Sequence, residues 1–216
     1  VHFIRIYLPY IVISQEESKQ LFLQQPRVDL LCYYNCPDQI ENFNEKSYYS
    51  PKSINSREQH EILTDYFTTN IKLFTESQTH NTYYNRKLSI DSNGNIKNTP
   101  EQTEIFGNIQ RESLKEIISQ ENFQRLWYVH KQVVDVCKDC EFRHMCVDSN
   151  PPKQRENNSW YRSKECNYNP YINKWKGEEG YLSLNECGVI VNSLEFKINE
   201  EQLSSINQNL WGMIEK

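Results

Sequence analysis

Residues 136–149 read VCKDCEFRHMCVDS and place Cys137, Cys140 and Cys146 within ten residues of one another. Two residues separate the first pair, five separate the second from the third, and nineteen lie between Cys146 and Cys166. A C-x2-C loop lets two sulfurs converge on one ion or cluster while backbone N–H groups turn towards them. Two further thiolates then close a tetrahedral set. Zinc and an iron–sulfur cluster both accept four thiolates, and ligand type alone does not separate them. Lys138, Arg143, His144, Lys153, Arg155, Arg162 and Lys164 crowd the same stretch, and their charge favours deprotonated sulfur. The competing readings are ordinary reduced cysteines or a disulfide. Three cysteines this close rarely coexist in a loop without a metal, and a disulfide requires an oxidising compartment. His144 stands beside better thiolate ligands and is left out of the set.

Outward from this loop, the pattern reads as an α+β chain. On the N-terminal side, residues 111–129 carry Leu114, Ile117, Ile118, Phe123, Leu126 and Trp127 at helical spacing, which predicts two short helices or one bent one. Before them, KLSIDSNGNIKN (residues 87–98) alternates on both sides of Asn93-Gly94 and predicts a β-hairpin. Asp91 and Asn93 are turn residues there, and Gly94 supplies the positive φ. Residues 70–76 alternate like a half-buried strand, 58–67 read as a helix, and 41–57 as loop. At the start, residues 1–13 read as a strand broken or ended at Pro9, residues 15–24 as a short helix, and VDLLCYY (28–34) as a strand. On the other side, Pro151-Pro152 interrupts the loop. Residues 181–193 and 195–198 have strand character, and Leu203, Ile206, Leu210 and Met213 mark one face of a last helix over 200–214.

The chain has 216 residues and a net charge of -5, which disfavours a broad nucleic-acid surface. Its apolar start is too short to span a bilayer, is interrupted by Arg5 and Pro9, and lacks the layout of a signal peptide. The expectation is a protein with no membrane and no nucleic-acid partner. Its seven cysteines belong most naturally in a reducing cytoplasm, as thiols or metal ligands.

The C-x2-C-x5-C loop with its distant fourth cysteine resembles the second auxiliary-cluster motif of the SPASM domain of radical SAM peptide maturases. Phe106-Gly107-Asn108-Ile109, residues 136–145 and Cys166-Asn167-Tyr168-Asn169-Pro170-Tyr171 are similar to the grasp-with-spasm type in particular. The likeness covers about residues 70–175. It implies a SPASM-like domain at 79–180, a partial β/α segment like the end of a radical SAM barrel at 1–78, and a strand plus amphipathic helix at 181–216. It also implies a [4Fe-4S] cluster on Cys137, Cys140, Cys146 and Cys166 in preference to zinc. The implied partners are a ribosomally made precursor peptide or a maturation enzyme of ATP-grasp type. The family's other auxiliary cluster would draw cysteines from positions held here by Tyr83, Thr99 and Ser149 or Asn150, so that cluster is expected to be absent.

Radical SAM chemistry requires C-x3-C-x2-C. Cys32 and Cys36 supply the first half, but Gln39 occupies the third position and the pair lies too close to the SPASM-like region. Both are read as core or loop cysteines, and Cys187 as a buried thiol at the start of an apolar strand. Alone, this chain is therefore expected not to cleave S-adenosylmethionine; as a fragment of a longer maturase it would carry a different expectation. His60, His80 and His130 have no spaced partners, and no Gly-rich phosphate loop precedes a helix. Tyr168, Tyr171 and Trp175 follow the fourth cysteine and would wrap the centre in apolar material. Two other functions remain open: a structural zinc module for protein interaction, and an enzyme whose site sequence spacing does not reveal.

Overall fold

Val28, Leu31 and Tyr33 put apolar side chains on both faces of one strand, and such a strand is stable only in the interior of a sheet. The computed structural model, which describes residues 3–10, 15–37, 46–51, 53, 67 and 70–212, places it there. β1 (Ile4–Pro9) and β3 (Ser47–Tyr49) flank β2 (Val28–Tyr34), both in parallel. Parallel neighbours need a crossover, and α1 (Gln15–Gln24) provides one between β1 and β2. Pro9, which has no N–H to donate, ends β1 on the sheet's edge. Val28, Leu31, Tyr33 and Cys36 form the core, against Ile6, Leu8, Leu21, Phe22 and Tyr49. Contacts divide the chain into two compact units, Val1–Glu58 and Gln59–Lys216, and this sheet belongs to the first. Among the described residues it does not close into a barrel.

The second unit is built from much smaller pieces. Residues 70–76, expected as a strand, fold instead as α2 (Ile71–Ser77). Asn70 Oδ1 accepts the Leu73 N–H at 2.8 Å, an N-cap that decides for the helix where seven alternating residues are too few to impose a strand. The helix expected at 58–67 lies outside the described residues apart from Phe67, as do residues 11–13 and 213–214 of the first strand and last helix.

The hairpin forms where the turn chemistry put it. β4 (Ser89–Ile90) and β5 (Asn95–Lys97) are antiparallel, with Gly94 at φ +79°. Asp91 Oδ1 accepts the N–H groups of Asn93 and Asn95, each at 3.0 Å. β6 (Gly107–Asn108) adds a third strand. α3 (Leu114–Ile118) starts at a capping box between Ser113 and Glu116, and α4 (Glu121–Gln124) runs into a 3-10 turn over Arg125–Tyr128. Together they bury Ile96, Ile117 and Phe123.

Three two-stranded pieces follow: β7 (Pro152–Gln154) with β8 (Trp160–Arg162), β9 (Tyr168–Asn169) with β10 (Lys174–Trp175), and β11 (Val189–Val191) with β12 (Phe196–Ile198). α5 (Glu200–Trp211) sets Leu203, Ile206 and Leu210 on a core shared with Val189, Val191, Phe196 and Ile198. The apolar stripe of the last helix is thus covered by this chain's own hairpin. No helix among the described residues is long and apolar enough to cross a membrane.

Strands of two or three residues carry few ladder hydrogen bonds, so buried side chains take over the job of fixing the loops. Asn98 is 1% exposed, and its amide donates to the carbonyls of Tyr84 at 3.1 Å and Lys87 at 2.6 Å. Asn98→Ala strands both carbonyls, and we expect it to destabilise the protein by about 2–4 kcal/mol in denaturant unfolding. A loss of only a few tenths would show that solvent reaches those carbonyls.

Candidate functional site

After Val134 the chain turns sharply twice. 3-10 turns span Cys137–Asp139 and Glu141–His144, closed by Cys140 N–H on the Cys137 carbonyl at 3.2 Å and Cys146 N–H on the Phe142 carbonyl at 2.9 Å. Val136, just before the first cysteine, has φ +68°. A β-branched residue is strained there, and the surrounding core holds it in place, with Val136 only 8% exposed. Cys166 comes from the connection between β8 and β9. These turns bring Cys137, Cys140, Cys146 and Cys166 to the wall of one cavity of about 380 Å³. All four cysteines thus line one space. No group of three or more His, Cys, Asp or Glu residues among the described residues stands in a geometry that could hold a metal ion.

One carboxylate organises the polar side of the cavity. Asp148 Oδ2 lies 3.6 Å from Lys131 Nζ and 2.9 Å from Arg162 Nε. The side chains of Lys131, Asp148 and Arg162 are only 11%, 3% and 9% exposed. Asp148 Oδ1 meanwhile accepts from Asn150 N and Nδ2, at 3.0 and 2.9 Å. Burial works against the Asp148 charge, but Lys131 and Arg162 overcome it and hold the carboxyl below its ordinary range. A second ion pair lies behind the first: Asp135 meets Arg155 at 2.5 Å and Lys138 at 3.1 Å. Arg155 also ties down the β11–β12 connection through the carbonyls of Asn192 and Glu195.

The thiols respond to the same burial. Removal from water pushes Cys146 up to about 12, with Lys131 opposing it. It pushes Cys140 up to about 12 as well, against a hydrogen bond from the Phe142 backbone. Cys137 is also raised by burial, in spite of Lys131 and Arg162. Without a metal, these three sulfurs keep their protons at neutral pH.

The remaining wall is aromatic. Phe142 packs on Phe67, Tyr168 and Trp175 with ring centroids 5.1, 4.9 and 5.8 Å away, and Tyr168 and Trp175 are 4.7 Å apart. Tyr168 also donates to Glu141, within the cysteine loop itself. Tyr171, read from the sequence as part of the same wrap, instead donates to Asp139 at 2.7 Å.

The other sequence candidates fall away from this cavity. His144 Nδ1 is engaged by Ser77 Oγ at 2.9 Å and Gln78 Nε2 at 3.1 Å. Cys187 is fully buried in the α5 core, where Asn169 Nδ2 donates to its sulfur at 3.4 Å. Cys32 and Cys36 are buried thiols of the N-terminal unit. Where the family resemblance called for further cysteines, this chain packs its own side chains. Thr99 is 2% exposed, Lys87 Nζ sits 3.5 Å over the Tyr83 ring, and Tyr84 donates to the Ser149 carbonyl. Sequence reasoning missed Lys131 and Asp148. The only signal was a lysine and an aspartate flanking the cysteine run at either end.

Residues 82–141 match the family model of the SPASM domain, described as an iron-sulfur cluster-binding domain. The match takes in Cys137 and Cys140 and ends before Cys146 and Cys166. No curated protein and no solved structure matches the chain. A SPASM-like segment is thus present, in a form consistent with degeneration of the domain's metal sites.

The raised thiols have a consequence for the metal-free protein. A folded-state pKa above the ordinary 9.0 means that folding favours the protonated thiol. These groups therefore cost nothing below pH 9, and destabilise the fold progressively as pH rises from 9 towards 12. We expect the Tm of metal-free protein to fall over that window, and the fall to shrink in Cys146→Ser. A Tm that stays level through the window would mean that the sulfurs are exposed to water.

Proposed function

We propose that the cysteine-lined cavity is a SPASM-like metal centre, with Cys137, Cys140, Cys146 and Cys166 as ligands and a [4Fe-4S] cluster as the preferred occupant. The observation that carries this reading is that all four cysteines line one cavity, in a segment that begins inside the match to an iron-sulfur cluster-binding domain. The preference for a cluster over one zinc ion rests on the resemblance to an iron-sulfur cluster-binding domain. Such a centre supplies one-electron redox chemistry or structural bracing.

The chain's own residues would hold and shield it. The two 3-10 turns present Cys137, Cys140 and Cys146, and the Phe142 N–H supports the Cys140 sulfur. Lys131 and Arg162 supply positive charge on one side, and Phe142, Tyr168 and Trp175 restrict water on another. We infer a supporting part in modification of a ribosomally made peptide, through recognition of the precursor or of a partner enzyme of ATP-grasp type. Cleavage of S-adenosylmethionine would not be this chain's own work, since Cys32 and Cys36 lack a third cysteine at the required spacing. The setting we infer is cytoplasmic, which agrees with seven unpaired thiols.

Purification without oxygen followed by iron, sulfide and zinc analysis tests the centre. We expect about four irons and four sulfides per chain, with a brown absorbance. In Cys137→Ala we expect loss of metal together with a destabilisation of several kcal/mol, because binding energy at such a site is folding energy. One zinc and no colour would favour a structural interaction module, and metal content and melting unchanged in Cys137→Ala would sink the assignment of that ligand.

A further inference from the structure

The charges beside the four sulfurs do not balance. Lys131, Asp148 and Arg162 line the cavity together, two cations on one carboxylate, all with little exposed surface. Asp148 has no spare capacity, since one oxygen is taken by Asn150 and the other faces both cations. The other acids of the cavity wall are committed elsewhere. Asp135 pairs with Arg155 and Lys138, and Glu165, which is exposed, accepts the Leu184 N–H at 2.9 Å. The Arg162 Nε is buried and finds no hydrogen-bond geometry, even though Asp148 is only 2.9 Å away. Among the described residues, the wall thus buries one positive charge more than its carboxylates neutralise.

A surplus buried cation is destabilising unless an anion joins it. Four thiolates on a divalent ion, or on a cluster core of charge +2, carry a net charge of -2, and the cavity that Lys131 and Arg162 face is where they would sit. We propose that Lys131, with Arg162, is the built-in counter-charge of a tetrathiolate centre: it raises the affinity of these sulfurs for metal and fixes the centre's overall charge. This rests on the reading of the four cysteines as ligands. Lys131 acts here as a positioning residue, through charge rather than through a bond to the metal. Asp148 caps the effect by neutralising one of the two cations, so the site is poised for an anion without being too unstable to form before one arrives.

Lys131→Met removes the charge at similar length, and Lys131→Arg restores it. With zinc alone as the probe, competed against a chromophoric chelator, we expect Lys131→Met to weaken binding roughly 10- to 100-fold, the range seen when groups supporting metal ligands are removed. Lys131→Arg should stay within a few-fold of the unaltered protein. Anaerobic reconstitution with iron and sulfide should follow the same order. The Tm separates this role from plain packing. In Lys131→Met the metal-free form should melt at or above the unaltered protein, because Asp148 then faces Arg162 alone, while the loaded form melts lower. Equal zinc affinity in Lys131→Met, or equal losses of Tm in both forms, would overturn the counter-charge role while leaving the metal centre intact. If the unaltered protein takes up neither zinc nor iron and sulfide, the ligand assignment itself fails and this proposal fails with it.

Discussion

The Asp148 carboxylate ties together three stretches of chain that otherwise meet only through the short β7–β8 ladder and a single bridge between Val134 and Trp160. Lys131 precedes Cys137 by six residues, Asp148 follows Cys146 by two, and Arg162 precedes Cys166 by four. When Lys131 and Arg162 close on Asp148, the three cysteine-bearing segments are drawn to one place. A buried ion pair of this kind is weak evidence for net stability, because desolvation consumes much of the Coulomb attraction. Its value lies in specificity, since any other arrangement would leave a charge buried and unpaired. The second pair, Asp135 with Arg155, extends the same logic to the β11–β12 connection. Charges thus join the β7–β8 ladder and the aromatic wall in shaping the cavity.

That dependence follows from how little regular structure the second unit has. Among the described residues its strands are two or three residues long, and most of its buried apolar residues fall into three clusters, around Cys187, Tyr84 and Ile96. Small cores of this kind leave a domain only marginally stable, and natural small domains commonly compensate with metals or cross-links. Three thiols that keep their protons at neutral pH add nothing to cohesion by themselves. On the proposed reading, metal binding turns the least cohesive part of the unit into the best-braced one.

What could be read in advance was whatever is local. The hairpin at Gly94 was legible because one turn type demands positive φ, β2 because its residues are apolar on both faces, and α5 because Leu203, Ile206 and Leu210 share a stripe. Residues 70–76 were misread because alternation over one short segment does not outweigh a side-chain cap from Asn70. The four cysteines stood out by spacing. Of their supporting charges Arg162 was visible among the nearby cations, but Lys131 and Asp148 were not, since the three are separated by 17 and 14 positions and obey no period. Contacts set by tertiary packing between loops leave almost no mark on a single sequence.

The two sides of the SPASM-like segment then stand in contrast. Where the resemblance asks for a further set of cysteines, Asn98, Tyr84 and Lys87 make direct hydrogen bonds and a cation–π contact, so that side is closed by protein groups alone. Around Cys137, Cys140, Cys146 and Cys166 the opposite holds: a cavity remains, burial pushes the Cys137, Cys140 and Cys146 thiols up, and the wall carries an unneutralised cation. A site that had merely decayed would be free to fill its space with apolar side chains and drop the buried lysine, because both changes relieve desolvation. On the proposed reading, space, sulfur and surplus charge occur together on the second side because an anionic centre would use all three.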